Sequence, residues 1–129
     1  MTPIANAVGW FEIPVTDMER ATKFYEAVFE VSLQYMPLGE LEMAMFPPHE
    51  SNKGAQGALV KNEKYYKPSQ DGALLYFTAQ SGDLKKEVSR VEAAGGKILA
   101  PIKQISEDYG WMAVCLDTEG NRFAIHSRS

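Results

Sequence analysis

Cysteine is nearly missing from this chain. Cys115 is the only one in 129 residues, so no disulfide can form within it. That fits a reducing compartment, and a cytoplasmic protein is expected. Basic charge is in deficit as well: 13 Lys and Arg against 17 Asp and Glu leave a net charge of -4. Nucleic acid rewards clustered cations, so it is not an expected partner. No apolar run approaches the ~20 residues that span a bilayer, and no membrane partner is expected. The opening MTPIANAVGWFE has no basic segment followed by a long apolar one, so no secretion signal is expected either. A Gly-rich phosphate loop is absent, as is a Ser-His-Asp order.

What is present reads as globular. Hydrophobic residues make up 45% and aromatics 11%. A chain of 129 residues suits one domain and buries about two thirds of its unfolded surface without a staple.

VGWFEIPV (8–15) alternates, with Phe11, Ile13 and Val15 on one face and Trp10, Glu12 and Pro14 on the other, which predicts a half-buried strand. Thr16 and Glu19 then stand at capping-box spacing before a helix. Its stripe is Met18, Ala21, Thr22, Tyr25, Val28 and Phe29. VSLQYMP and ELEMAMFP read as two strands joined near Leu38-Gly39, and GALVKN (57–62) as a fourth. KYYKPSQDG (64–72) is turn-rich and reads as a linker. The pattern then restarts. ALLYFTA (73–79) is a strand, and SGDLKKEVSRVEAAGG is a helix with Leu84, Val88 and Val91 on one face and Gly95-Gly96 as its stop. KILAPIK, GWMAVCLD and NRFAIH are three more strands.

Each half thus reads strand, helix, strand, strand, strand, with corresponding strands roughly 64–66 residues apart. The expected architecture is α+β: a single domain over 1–129, with module one at about 6–62 and module two at about 73–127. One helix covers one face of a four-stranded sheet. The other face must be buried by something else, the second half-sheet or a sheet of another chain being the natural candidates. Two curved sheets side by side leave a concave groove, where a ligand is expected.

The two βαβββ modules, opened by WFEIPVTDMERATKFYEAVF and closed by DTEGNRFAIHS, resemble the vicinal oxygen chelate superfamily. That family includes lactoylglutathione lyase (glyoxalase), the bleomycin-resistance proteins and the extradiol dioxygenases. The pieces V-x-D-x-x-R-A-x-x-FY-x-x-V-F and D-x-x-G-N carry the resemblance together rather than singly, and it covers nearly the whole chain. The nearest subgroup is that of small glyoxalase-related proteins with GWFEIPV openings and GALV fourth strands. The resemblance implies paired modules and a homodimer. In the enzymes it also implies a divalent metal held by His, Glu or Gln on the first and fourth strands of each module.

Carried over residue by residue, that metal set is missing. Counting back from Phe24-Tyr25, the first ligand position falls on Trp10, whose N–H can only donate. In GALV it falls on Gly57, Ala58 or Leu59, none with a donor atom. Counting back from Gly95-Gly96 gives Tyr76, a poor ligand, and counting forward from Asp117 gives Ala124, which has none. No cofactor is therefore expected from the ligand positions.

Other residues on the same counting remain candidates. Glu12 stands two past Trp10, and His126 two past Ala124, so both should face the groove. They serve either as a catalytic base and orienter, or ligands of a displaced metal site, or as structural polar groups. Two ligands fall short of the usual three. Trp10, Tyr76, Trp111 and Arg122 are assigned to the groove wall, where aromatic faces and one cation would suit a small planar or anionic molecule, unless they only pack where the sheets meet. Met36, Met43 and Met45 line an adaptable pocket or fill core. Nothing beside Cys115 would activate its thiol. His49 reads as solvated, and Asp117-Thr-Glu-Gly as turn chemistry with Gly120 at positive φ. Lys61, Lys64 and Lys67 with Tyr65 and Tyr66 form either a lid edge or a solvated connector.

The leading expectation is a small-molecule-binding protein of the glyoxalase and bleomycin-resistance kind. A lyase, isomerase or dioxygenase-type enzyme acting through Glu12 and His126 is the first alternative. A drug-sequestering resistance protein is the second.

Overall fold

The computed structural model describes residues 2–129. Two four-stranded mixed sheets and two helices make an α+β fold. Module one runs β1 (Glu12–Pro14), α1 (Met18–Phe29), β2 (Gln34–Leu38), β3 (Leu41–Met45) and β4 (Ala58–Lys61). Module two repeats it with β5 (Leu75–Thr78), α2 (Leu84–Val91), β6 (Lys97–Ser106), β7 (Gly110–Leu116) and β8 (Arg122–Ser127). The sheet orders are β1-β4-β3-β2 and β5-β8-β7-β6, the same topology twice. In each, the strand before the helix pairs in parallel with the last strand, and the other pairs are antiparallel.

Period-two alternation places Ile13 and Val15 in the core, with Phe11 packed against it. Leu75, Phe77, Phe123 and Ile125 do the same in module two. On α1 the buried stripe is Met18, Ala21, Phe24, Tyr25, Val28 and Phe29, so Phe24 takes the place expected for Thr22. Each such large apolar side chain contributes about 1.5–3 kcal/mol by leaving water. The two helices share one core with both sheets, and Arg90 Nε on α2 donates to the Val28 carbonyl near the end of α1 at 2.8 Å.

The start of α1 corrects the capping-box expectation. Asp17, not Thr16, is the N-cap, and its carboxylate accepts from the Arg20 amide at 3.0 Å. The reason is a competing partner. The Thr16 hydroxyl donates to Glu119 Oε1 at 2.9 Å, so the cap falls one residue later. Glu19, expected to reach back, pairs with Lys23 one turn on at 3.1 Å. Helix α2 ends at Val91, sooner than Gly95-Gly96, though the Gly96 amide still returns to the Val91 carbonyl at 2.9 Å.

The turn Asp117–Asn121 joins the two modules. Gly120 has the expected positive φ, +91°. Each acidic or amide side chain of the turn also reaches into module one. Asp117 Oδ2 accepts from the buried Tyr25 hydroxyl at 2.6 Å, and Asn121 Nδ2 donates to the Pro14 carbonyl at 2.7 Å. Glu119 Oε1 accepts from the amides of Thr16 and Asp17, both at 2.9 Å.

The face of each sheet away from the helices is the groove face. In module one, Met43, Ala58 and Val60 form a second small cluster there, with Leu41, Met45 and Tyr66 against it. Its cover within the chain includes Tyr66, brought across by the connector between the modules.

Candidate functional site at the module seam

β1 and β5 are both edge strands of their sheets, and at the seam between the modules the Phe11 ring, just before β1, meets Phe77 of β5 with centroids 5.8 Å apart. Two cavities open there and share Phe11 and Leu75 as wall residues. The larger, about 820 Å³, lies between the segment leading into β1, the long β3–β4 loop and β5. The smaller, about 230 Å³, lies at the opposite end, where Glu12 and Pro14 meet Ser69, Asn121 and Arg122.

The larger cavity is floored by aromatic rings from both modules. Phe77 of β5 stacks on Phe29 with centroids 4.9 Å apart, and meets Phe11 edge-on at 5.8 Å and Phe46 at 5.6 Å. Such pairs add about 0.5–1.5 kcal/mol each beyond burial and hold the floor rigid. The β3–β4 loop is closed at its base by the Phe46 amide on the Gly57 carbonyl, 3.1 Å, and by Gln56 Nε2 on the Phe46 carbonyl, 2.7 Å. His49, Asn52 and Lys53 on that loop stand at the cavity wall. The size lies within the usual 300–1,000 Å³ of small-molecule sites.

The residues singled out in the sequence are dispersed around this seam. Tyr76 lines the larger cavity and is 53% exposed. Glu12 and Arg122 line the smaller one. Trp10 and His126 line neither. Glu12 accepts from the Tyr66 hydroxyl at 2.7 Å and from Trp10 Nε1 at 3.4 Å. The bond to Glu12 raises the Tyr66 phenol above its ordinary value, with burial adding to it. His126 Nε2 is bonded to the Tyr109 carbonyl. A carbonyl only accepts, so Nε2 carries the proton. Glu12 and His126 therefore have separate partners and share no hydrogen bond. Arg122 reaches the Gly72 carbonyl at 3.4 Å, and its buried Nε has no partner among the described residues.

Trp111 is corrected outright. It shares a face with Ala113 and Cys115 and packs on the helix-side core, because β7 is registered with Cys115 opposite Phe123. It does not belong to the groove wall. Cys115 is fully buried, and burial pushes its thiol up to about 11, the opposite of an activated nucleophile.

The metal positions of the resemblance are filled as follows. Trp10 precedes the paired part of β1, Ala58 and Leu59 lie on β4, and Tyr76 sits directly opposite Ala124. Among the described residues no three His, Cys, Asp or Glu side chains come together to hold a metal ion. The donor set does not fit the family's divalent cation.

Sequence reasoning passed over two residues that the fold makes prominent. The pattern places Tyr66 on a lid edge or a solvated connector, and His49 on a solvated loop. The one signal for His49 was loop length, since a connection of this size between paired strands often carries function.

The fold is that of paired βαβββ modules, and the comparisons agree. Residues 7–125 match the family model for the Glyoxalase/Bleomycin resistance protein/Dioxygenase superfamily, and the chain belongs to that superfamily. It is 32% identical over 124 residues to a glyoxylase-like domain-containing protein of Didymella fabae, covering 94% of this chain and 93% of that one. Its fold is similar to that of FosX, the genomically encoded fosfomycin resistance protein of Listeria monocytogenes, with a TM-score of 0.68 at 15% identity over 98% of this chain and 94% of that one. It is also similar to glyoxalase I from Zea mays, with a TM-score of 0.65 at 20% identity over 92% of this chain. The chain spans only 45% of the maize protein's length. No helix among the described residues is long and apolar enough to cross a membrane.

Proposed function

We propose that this chain binds a small organic molecule at the seam between its modules, and does so without the metal of the family's enzymes. One observation carries the reading: a cavity of about 820 Å³ between the modules, floored by four phenylalanines. Tyr76, at its wall, supplies a further aromatic face. Glu12 and Arg122 border the adjoining smaller cavity and act on a ligand only if it extends there. Trp10 and His126, outside both, have structural roles.

The metal-free half of the reading is supported by the donor set at the four ligand positions, where Tyr76 alone carries an acceptor atom. An acid/base enzyme built on Glu12 and His126 has less support, since each is engaged elsewhere. A drug-sequestering protein that holds cations in an acidic groove also has less support, because no Asp or Glu among the described residues lines the larger cavity. The reading takes the chain as a cytoplasmic homodimer. Exposed Leu99, Ile105 and Tyr109 in module two offer apolar surface for a second copy.

Metal analysis of the purified protein after mild dialysis, followed by a melting-temperature screen against small aromatic and aliphatic compounds, tests this. The expected result is substoichiometric metal, and stabilising ligands whose effect disappears in Ala55→Trp, which fills the cavity. Retained stoichiometric divalent metal would overturn the metal-free reading. Ligands that stabilise Ala55→Trp equally would move the site elsewhere. Light scattering measures the oligomeric state, and a monomer at working concentrations would remove the dimer.

A further inference from the structure

The larger seam cavity has a charge pattern unlike the rest of the molecule. The chain carries 17 Asp and Glu, yet among the described residues none lines this cavity, and Lys53 is the only Lys or Arg that does. His49 stands four residues before Lys53 on the same loop and also lines the cavity. Its tautomer follows from its neighbour. The Ser51 amide donates to His49 Nδ1 at 3.0 Å, and the Ser51 hydroxyl lies 2.6 Å from the same nitrogen. A backbone N–H can only donate, so Nδ1 is the acceptor and the ring proton sits on Nε2. The imidazole therefore has an N–H donor left over. The same cavity is lined by the rings of Phe11, Phe29, Phe46 and Phe77.

We propose that the cavity takes an amphiphilic carboxylate: an aryl or alkyl body on the phenylalanine floor, and a carboxylate held by Lys53 Nζ and His49 Nε2–H. This rests on the reading of the cavity as the ligand site and adds the class of ligand to it. A single ammonium with one neutral donor matches a singly charged acid. A doubly charged phosphate ester would find only one of its two charges matched by a cation on this wall. The absence of carboxylates from the wall removes the repulsion an acid would meet elsewhere on a chain of net charge -4.

The test uses a matched pair of probes, 2-naphthylacetic acid and 2-naphthylacetamide, measured by calorimetry on the full chain. The acid should bind about tenfold more tightly than the amide, the scale of one hydrogen bond to a charged group. Lys53→Gln should remove most of that advantage, lowering acid affinity far more than amide affinity, and 0.5 M salt should weaken the acid more than the amide. Lys53 is exposed, so its replacement should leave the melting temperature in place. His49→Phe should lower acid affinity severalfold with little effect on the amide. Equal binding of acid and amide by the wild type, or an acid preference that survives Lys53→Gln, would overturn the ligand class while leaving the cavity as a binding site. Failure of both probes to bind at millimolar concentration would overturn the reading beneath it as well.

Discussion

Glu119 holds Arg20 in a fork, with Arg20 Nε on Oε2 at 2.7 Å and Arg20 Nη2 on Oε1 at 3.0 Å. The two residues belong to different modules. Glu119 is on the β7–β8 turn, and Arg20 is in the first turn of α1. The Glu119 side chain is fully buried, whereas that of Arg20 is half exposed. Burial alone would raise the Glu119 carboxyl. The Arg20 guanidinium, the Asp17 and Thr16 amides and the Thr16 hydroxyl overcome this and hold it down to about 2, against an ordinary 4.5. A depressed carboxyl stabilises the folded state fully above its unfolded value and loses that contribution as pH falls toward the folded one. Denaturant melts at stepped pH should therefore show wild type losing stability between about pH 4.5 and 2. Glu119→Gln should be less stable than wild type at pH 7 by about 2 kcal/mol, allowing for the exposure of Arg20. The gap should close near pH 2. A constant gap across that range would show that the carboxylate charge is not what matters.

Tyr25 and Asp117 make the second bond of this clamp, buried and 2.6 Å long. Burial, then the charge and hydrogen bond of Asp117, push the Tyr25 phenol well above its ordinary value. Asp117 Oδ1 is already engaged by the Glu119 and Asn121 amides, each at 2.8 Å. Oδ2 keeps only Asn121 Nδ2, at 3.1 Å, once the phenol is gone. Tyr25→Phe leaves the ring in place and should destabilise the protein by about 1.5–3 kcal/mol in denaturant melts, the scale for removing a donor from a buried charged acceptor. A change under about 0.5 kcal/mol would place the clamp elsewhere.

Local pattern carried the elements well. The alternation of Phe11, Ile13 and Val15 and the helical spacing of Leu84, Val88 and Val91 are periodic, and periodicity survives folding because it determines which face meets the core. Parity failed at Trp111 because GWMAVCL is apolar on both faces. With nothing in the strand to tell inside from outside, the pairing of Cys115 with Phe123 decides it. The parts of the site that came from loops were not legible. Glu119 meets a partner 99 residues away, and Tyr66 meets one 54 residues away. The turn chemistry of Gly120 was visible in Asp117-Thr-Glu-Gly, but the reach of its acidic side chains across to α1 depends on how the modules dock.

Cys115 offers a probe of that shared core. Its side chain is inaccessible, and its thiol, pushed up to about 11, is almost wholly protonated at pH 8. A thiol reagent at pH 8 should leave the native protein unlabelled for hours and modify one equivalent promptly in denaturant. The rate in dilute denaturant should track the unfolded population measured by circular dichroism. Prompt labelling of native protein would mean that β7 opens without global unfolding.

Gly57 and Phe11 form the contact on which the seam itself depends. Gly57 has φ +74°, a conformation that side chains disfavour, and a Cβ built there would lie 2.1 Å from the Phe11 ring. The ring thus lies where only glycine leaves room, and Phe11 is a wall of both cavities. The β1–β4 pairing is extended at the same point, by the Ala58 amide on the Phe11 carbonyl at 3.1 Å. Gly57→Ala should destabilise the chain by about 2–4 kcal/mol, from backbone strain plus displacement of a packed ring. It should also abolish binding of any ligand that Ala55→Trp excludes. Phe11→Leu in the same background relieves the ring clash but not the strain. It should recover about half of the lost stability without restoring the aromatic floor. Full recovery of binding in that double variant would show that the ring of Phe11 is not part of the ligand's surface.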